Sequence, residues 1–448
     1  MMSDFFLFTF SRTELVFLGY FGIIDLLYAL VFLAGLHKIV TWKKKHHANS
    51  PVSRLLSDSM PEISLILPVY NEQRDIISII DCLLNLSYIK KQIIIVNDGS
   101  KDNTLDLMQK KLQLVPIHLY FGTQLPSKPI KGLYRSELHP ECLVIDKENG
   151  TRFDALNAGL NACKSPYFIT VDADTFINDE SLKALIEPIL TSPPAIAIGA
   201  IVRIRDIDQL AGEDFSRGIL SLIQSVEYIR TFFMRLGLEY TGGNFAFSGA
   251  FSSFHTPTVI KAGGFAPTFA HDLEIILRLQ RAMKGAVCRI IYLPDSIAWT
   301  YPLTSLKGLR FQRKMWHRGL LESMWIHKCL FLNPKYGAFG LFVYPLMFFG
   351  EVLAPIVEIA GYLYLISSLL FGTINPAFAL IFFSLTIGFS LVMSWISLLI
   401  EEMVFNKTPS FKKLARLYGW SLIENLGFRQ LTLFWKMLGF ISLFFKSG

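Results

Sequence analysis

Asp172-Ala-Asp174 follows an apolar run that ends at Val171, and that spacing suits metal chemistry. Side chains alternate along an extended backbone, so both carboxylates project to one side, where a divalent ion can bridge them to a diphosphate. Asp98 closes a second apolar run in the same way. An Asp after a strand ordinarily starts a turn or caps a helix, which is the plainer account of Asp98 taken alone. The chain has no Gly-x-Gly-x-x-Gly fingerprint and no Walker loop, so a phosphate would have to be held by metal and by cations. Lys147 and Arg152 stand nearby to supply them. The Cys residues at 82, 142, 163, 288 and 329 form no CxxC pair and read as reduced thiols, not zinc ligands.

These side chains need a frame, and residues 58–330 provide the pattern of one. Short apolar runs alternate there with helical spacing, as in a parallel α/β sheet. Ile63-Ser-Leu-Ile-Leu67 predicts a strand that stops at Pro68, and Asn71 to Leu86 has the spacing of a helix. Gln92-Ile-Ile-Ile-Val96 predicts a second strand, ending in Asn97-Asp98-Gly99-Ser100, with a helix starting near Asn103. Residues 143–145, 167–171 and 195–198 are further strands by the same criterion. Residues 121–140 hold three Pro and mixed charge, and are expected to form a loop insertion. Chemistry in such sheets gathers at the carboxyl ends of strands, where Asp98 and Asp172 fall.

The rest of the chain is lipid-like. Only 18% of the 448 residues are charged, and 52% are hydrophobic, which excludes a disordered chain. The net charge of +7 is modest and lies largely in short runs beside apolar stretches, which points to a lipid bilayer and not to nucleic acid. Leu15–Leu36 is a 22-residue apolar run broken only by Asp25. At about 1.5 Å per residue it spans a hydrocarbon core of roughly 30 Å. A secretory signal would carry its basic residues ahead of the run, whereas Lys38, Lys43, Lys44 and Lys45 follow it. The expected organisation is a tail at 1–14, a transmembrane helix at 15–36, a basic linker at 37–57 and the soluble domain at 58–330. An interfacial helix at 331–349, transmembrane helices at 350–371 and 376–400, and a basic loop at 401–417 come next. A last segment, 418–445, spans or lies in the interface. Lys407, Lys412, Lys413 and Arg416 follow the last clear span, while the link 372–375 has no Lys or Arg. That asymmetry predicts a multi-pass protein of the cell (inner) membrane with its soluble domain cytoplasmic.

Pro68-Val-Tyr-Asn-Glu72, Val96-Asn-Asp-Gly-Ser100, Lys147-Glu-Asn-Gly150 with Asp154-Ala-Leu-Asn157, and Val171-Asp-Ala-Asp174 resemble the motifs of family-2 inverting glycosyltransferases. Ser248-Gly-Ala-Phe251, His271-Asp272-Leu-Glu274 and Gln312-Arg-Lys-Met-Trp316 extend the resemblance to the processive membrane synthases of that family. Those make cellulose, chitin, hyaluronan and poly-N-acetylglucosamine, and the resemblance covers roughly 60–320. It implies an α/β fold of the GT-A (Rossmann-like) type with α-helical transmembrane segments, a UDP-sugar donor, and Mg²⁺ or Mn²⁺. It implies a polysaccharide or lipid-linked acceptor, and accessory membrane or export subunits as further partners. Tyr70, Glu72 and Asp98 match positions that hold uridine, Asp172 the position near ribose and diphosphate, and Asp174 the metal ligand. Asp272 matches the catalytic base. Gln312, Arg313 and Trp316 match the motif that lines the acceptor site and steadies the departing diphosphate.

The chain departs from that pattern in particular places. His271 stands where Glu is usual, Met315 where Arg is usual, and Arg152 where Lys is usual. Arg318 compensates for Met315 only if the local geometry brings it round. An inverting transfer needs one carboxylate to take the acceptor's hydroxyl proton, and fixed positive charge where the nucleoside diphosphate leaves. Asp272 has the plainer account of an N-terminal helix cap, and a protonated His271 beside it would make it a weaker base. Trp316 offers a flat face to a sugar ring or an anchor at the membrane interface, and His317 and His327 read as interfacial polar residues. The expected function is transfer from a UDP-sugar to a growing β-linked polysaccharide, an N-acetylglucosamine polymer being one such product. Single addition to a lipid-linked acceptor, or a catalytically weakened subunit of an export complex, are the alternatives.

Overall fold

A computed structural model describes residues 10–48, 61–118, 122–190, 195–205, 215–283, 289–405 and 411–444. The apolar runs between Ile63 and Ile198 become the centre of one mixed sheet. In chain order its strands are β1 (Ile63–Val69), β2 (Lys91–Asn97), β3 (Leu114–Pro116), β4 (Ile130–Ser136), β5 (Cys142–Lys147), β6 (Tyr167–Val171), β7 (Thr175–Phe176), β8 (Ala195–Ile204), β9 (Phe251–His255) and β10 (Arg289–Thr300). Their spatial order is β3-β4-β5-β2-β1-β6-β9-β8-β10-β7. Strands β5, β2, β1 and β6 run parallel, with Val69 beside Asn97 and Asn97 beside Asp146. Every residue of β1 is buried, as befits a strand covered on both faces. Leu65, Leu67, Ile93 and Ile95 pack on Ile76, Ile79, Ile80 and Leu83 of the helix Ile76–Leu84. Ile66, Ile94 and Val96 point the other way, onto Ala155, Leu156 and Ala158 of the helix Arg152–Ala162. This register delivers Tyr70, Asp98 and the end of β5 to one edge of the sheet.

The sheet is not purely parallel as its pattern suggested. Strand β9 lies antiparallel between β6 and β8. Its Ser252 and Ser253 are fully buried, so the strand has no apolar run to announce it. Residues 121–140, expected as a loop, contain β4, which pairs antiparallel with β5. Pro126, Pro129 and Pro140 flank β4 instead of interrupting it, and most of the strand remains at least partly exposed. Strand β10 alternates buried and half-buried residues, but Pro294-Asp295 falls inside a register shift between Tyr292 and Ile297. The helix expected over 71–86 begins only at Ile76, after a turn in which Asn71 is left-handed (φ 56°).

Among the described residues three helices are long and apolar enough to cross a membrane, within Arg12–Lys44, Phe339–Leu370 and Pro376–Phe405. The first continues as helix to Ala48, into the residues expected to form a basic linker. The second is continuous where a separate interfacial helix had been expected. Pro345 and Pro355 each sit at the start of an α-helical segment, and the π-helical stretches Phe339–Val343 and Phe348–Leu353 precede them. Both prolines lie inside a continuous helical run, and the π-helical stretches ahead of them supply the local widening that takes up the missing N–H and the ring, so neither breaks the helix. The final helical run, Phe411–Phe444, carries Glu424, Arg429 and Lys436, which pair with Arg230, Glu358 and Glu351. It packs on the helix Leu306–Ile326, where Gly439 lets the backbones approach.

The N-terminal helix also packs on the soluble domain's long helix, Phe215–Thr241. A Cβ added at Gly237 would collide with the carbonyl of Val31, and one added at Gly35 with the carbonyl of Phe233. Backbone atoms cannot swing aside as side chains can. Gly237→Ala is expected to push the two helices apart and destabilise the protein by about 1–3 kcal/mol, measurable as a lowered thermal midpoint in detergent.

Candidate active site

The carboxyl end of β2 turns at Gly99, whose φ of +70° and close approach to the backbone N of Asn149 leave no room for a side chain. That turn brings Asp98 against the start of the next loop. Asp98 accepts from Lys147 Nζ at 2.7 Å and from the Gly150 N–H at 3.0 Å, and its carbonyl accepts from Asn149 Nδ2 at 2.8 Å. Lys147 is fully buried and also pairs with Asp154 at 2.5 Å. The expected phosphate cation is therefore the clamp of two buried carboxylates, which fixes the β2 and β5 loops to the helix Arg152–Ala162. Lys147→Met would leave both acids buried without a cation. A loss of about 3–5 kcal/mol is expected, read from denaturant unfolding.

Arg152, by contrast, reaches the centre of the site. It pairs with Asp172, donates from Nη2 to the Gly249 carbonyl at 2.8 Å, and lies 2.7 Å from His271 Nε2 through Nη1. Asp172 and Asp174 are half-buried, but the segment that carries them is a turn between β6 and β7, closed by the Thr175 N–H donating to the Asp172 carbonyl at 3.0 Å, and not the extended backbone expected. Burial raises the Asp172 carboxyl even with Arg152 beside it. Glu72, from the turn after β1, is pushed up to about 7 by burial, then by Asp174, Asp75, Asp102 and Asp172. Among the described residues Asp174 has no ion-pair partner, and its hydrogen bond is from the Thr175 hydroxyl at 3.2 Å. Glu72, Asp172 and Asp174 thus gather more negative charge than Arg152 offsets. Tyr70 is exposed at the same edge.

The segment Ser248–Ala250 ties this acidic group to Asp272. The Ala250 carbonyl accepts from the Asp172 N–H at 3.2 Å, and the Gly249 N–H donates to Asp272 Oδ2 at 3.1 Å. Asp272 Oδ1 accepts from the Leu273 N–H at 2.9 Å. The helix begins at His271 and its N-cap is Ala270, so Asp272 lies in the first turn and is not the cap. His271 is buried, and that burial, then Arg152, lowers its pKa to about 4. The neutral imidazole is therefore the form favoured beside Asp272 at pH 7.

The helix Leu306–Ile326 closes the other side. Gly319 abuts the backbone of Phe269 and Ala270, and Gln312 and Trp316 share its face at helical spacing. Trp316 is 45% exposed, with the Arg313 guanidinium 4.4 Å from its ring centroid. Arg318 is engaged elsewhere, with Glu322 at 2.9 Å and over the Phe269 ring at 4.6 Å. His317 and His327 are buried, and His327 pairs with Glu274 at 2.9 Å, so neither is an interfacial residue.

Comparison with known proteins accounts for this arrangement. The family model described as glycosyl transferase family 2 matches residues 64–252. That of glycosyl transferase family group 2 matches residues 167–400, more than half of the chain. The chain belongs to the family-2 glycosyltransferases. Its curated relatives include the poly-β-1,6-N-acetyl-D-glucosamine synthase of Staphylococcus aureus (strain COL), 26% identical over 265 residues, which are 58% of this chain and 55% of the relative. The enzyme of the same name from Staphylococcus epidermidis is 26% identical over 61% of this chain and 60% of its own length. The match thus spans little more than half of those relatives. Among solved structures, a mannosyltransferase from Pyrobaculum calidifontis in complex with GDP-Man and Mn²⁺ covers 95% of this chain and 100% of its own, with a TM-score of 0.53 at 14% identity. That likeness establishes the GT-A fold.

This family-2 glycosyltransferase also holds residues in the site that its sequence did not reveal. Glu227 and Tyr228 come from the long helix Phe215–Thr241. Glu227 accepts from Arg313 Nη2 at 2.6 Å. Burial raises the Tyr228 hydroxyl, and Arg313, Glu227 and Asp174 all act on it electrostatically. Nothing in the spacing of Glu227 or Tyr228 along their helix singles them out.

Proposed function

We propose that this protein is a membrane-bound inverting glycosyltransferase that moves a sugar from a UDP-sugar to a growing β-linked polysaccharide, with N-acetylglucosamine polymer as the leading product. The observation that carries the reading is the shared anchor at Ser248–Ala250. One short segment holds both Asp172 of the donor motif and Asp272, so donor and base keep a fixed relation. The relatives' printed activity supplies the product class, and Tyr70, Glu72 and Asp98 line the edge where a uridine fits.

In this reading Asp272 takes the proton from the acceptor hydroxyl as that oxygen attacks the anomeric carbon. Its two oxygens already accept backbone N–H groups, which fixes the carboxylate while leaving a lone pair on each for the acceptor. Trp316 presents its face to the acceptor ring. Arg152 holds Asp172 in place from Gly249 and His271, so the donor's diphosphate meets an ordered carboxylate and cation.

A divalent ion fits the donor set. Among the described residues no three His, Cys, Asp or Glu side chains form a metal-holding group of their own. The surplus negative charge at Glu72, Asp172 and Asp174 nevertheless favours a cation, with Asp174 as its ligand and substrate phosphate completing the shell. Mg²⁺ or Mn²⁺ bound there would neutralise charge on the leaving diphosphate.

The three apolar helices and the basic residues at 38–45 and 407–416 support a cytoplasmic catalytic domain at the cell (inner) membrane. Incubating the detergent-purified protein with UDP-N-acetylglucosamine and with other UDP-sugars tests the function. Long product supports the synthase, a single added sugar supports transfer to a lipid-linked acceptor, and absence of product from every donor would point to a subunit without turnover.

A further inference from the structure

His271 is buried directly beside Asp272, and its ring meets the Arg152 guanidinium at 2.7 Å through Nε2 and Nη1. A guanidinium can only donate, so Nε2 must accept, and the neutral ring carries its hydrogen on Nδ1. The backbone hydrogen bond between His271 and Thr268 suits that arrangement. Phe265 stands edge-on to the imidazole, with 6.1 Å between ring centroids. Phe265 is itself clamped by Asn157, which donates to its carbonyl at 3.0 Å and accepts from its N–H at 2.8 Å. Asn157 and Arg152 belong to one helix, Arg152–Ala162. That helix therefore grips the segment 265–271 at both ends.

The other contacts of Arg152 close a ring. Its Nη2 donates to the Gly249 carbonyl and pairs with Asp172, while the Gly249 N–H donates to Asp272, the residue after His271. A Cβ on Gly249 would come within 2.6 Å of Arg152 Nη1, so the guanidinium rests directly on this glycine. We propose that His271 is a positioning residue, a neutral acceptor for Arg152 that locks the segment carrying Asp272 to the carboxylate of Asp172. The inference rests on the proposed transfer, in which Asp272 is the base. Neutrality matters as much as the accepting nitrogen. A Glu at 271 would also accept, but it would compete with Asp172 for one guanidinium in a site that already holds Glu72, Asp174 and Asp272. The departures at 152 and 271 thus meet in a single hydrogen bond.

Two neutral amides separate this lock from packing alone. A Gln side chain carries its oxygen about where Nε2 stands, whereas an Asn side chain reaches only as far as Nδ1. His271→Gln should therefore keep the bond to Arg152, with kcat within about threefold of the wild type. His271→Asn should break it and lower kcat by about tenfold or more, as a misplaced catalytic group does. The donor KM should stay nearly level in both, because Asp172 keeps its arginine. A merely structural role would lower thermal midpoints without confining the loss to kcat or letting Gln restore it.

The test measures kcat and donor KM of the full chain in detergent, together with the state of the His271 ring. Wild-type kcat in His271→Asn overturns the assignment, and so does a kcat in His271→Gln as low as in His271→Asn. The ring gives a reading that does not depend on turnover or on the folding of His271→Asn. Nitrogen NMR of the wild-type imidazole, assigned by its disappearance in His271→Gln, should show the hydrogen on Nδ1 with Nε2 bare. A ring protonated on Nε2 cannot accept from Arg152 and overturns the assignment. A wild type that transfers from no UDP-sugar defeats the proposed function. Hydrogen on Nδ1 would then still support the bond that forms the lock, and hydrogen on Nε2 would defeat both.

Discussion

Asp272→Asn is expected to lose sugar transfer by at least about a hundredfold, since general-base assistance typically contributes 10²–10⁴. The substitution keeps the size of the side chain and removes the ability to take a proton. Its structural cost is small and definable. The carboxylate accepts from both Gly249 N–H at 3.1 Å and Leu273 N–H at 2.9 Å. An amide has one accepting oxygen, so Asn keeps one of these bonds and loses the other, worth about 1 kcal/mol. It also gives up the favourable charge in the first turn of the helix His271–Ala282. A slightly lowered thermal midpoint with normal UDP affinity is therefore the expected companion of lost turnover. His271 is too weak a base to substitute, because burial and then Arg152 lower its pKa to about 4. Its Nε2 is committed to Arg152 Nη1 at 2.7 Å. Transfer near the wild-type rate in Asp272→Asn, measured as UDP released, would return Asp272 to a structural role in the helix's first turn.

Much of this site was legible because its residues sit where apolar runs end. β1, β2, β6 and the centre of β5 are buried on both faces, so they read as unbroken apolar segments, and Asp98 and Asp172 mark their carboxyl ends. The elements that escaped notice lack that signal for separate reasons. β9 buries two serines, β10 is interrupted by Pro294-Asp295, and β4 lies near the sheet edge between prolines. The antiparallel β9 matters most, since its approach carries Gly249 and Ala250 to Asp272 and Asp172. Lys147 misled in another way. Its charge is visible in the sequence, but its complete burial between Asp98 and Asp154 follows from the register of β2 and β5. Glu227 was invisible because its partner Arg313 lies 86 residues away on another helix.

Asp174→Ala should remove activity altogether, and excess EDTA should do the same to the wild type, because Arg152 pairs only with Asp172 and a metal on Asp174 is the remaining cation for the departing diphosphate in the proposed reaction. Activity alone would not distinguish a lost metal ligand from a distorted loop. Glu72 supplies a second readout. Its carboxyl is pushed up from 4.5 to about 7 by burial first and by Asp174 next. A carboxyl raised on folding binds its proton more tightly in the native state, so the native state holds more protons between those two values. Stability from this group is full at low pH and is lost as pH rises through about 7. Without metal, the wild type should therefore lose thermal stability relative to Glu72→Gln as pH rises from 4.5 towards 7. Asp174→Ala removes one of the repelling charges and should reduce that difference. Mn²⁺ added with UDP at pH 7.5 should raise the wild-type midpoint, since a ligand that binds only the native state stabilises it, and should leave Asp174→Ala little changed. A midpoint that rises equally in both proteins would place the ion elsewhere and leave Asp174 without the role of ligand.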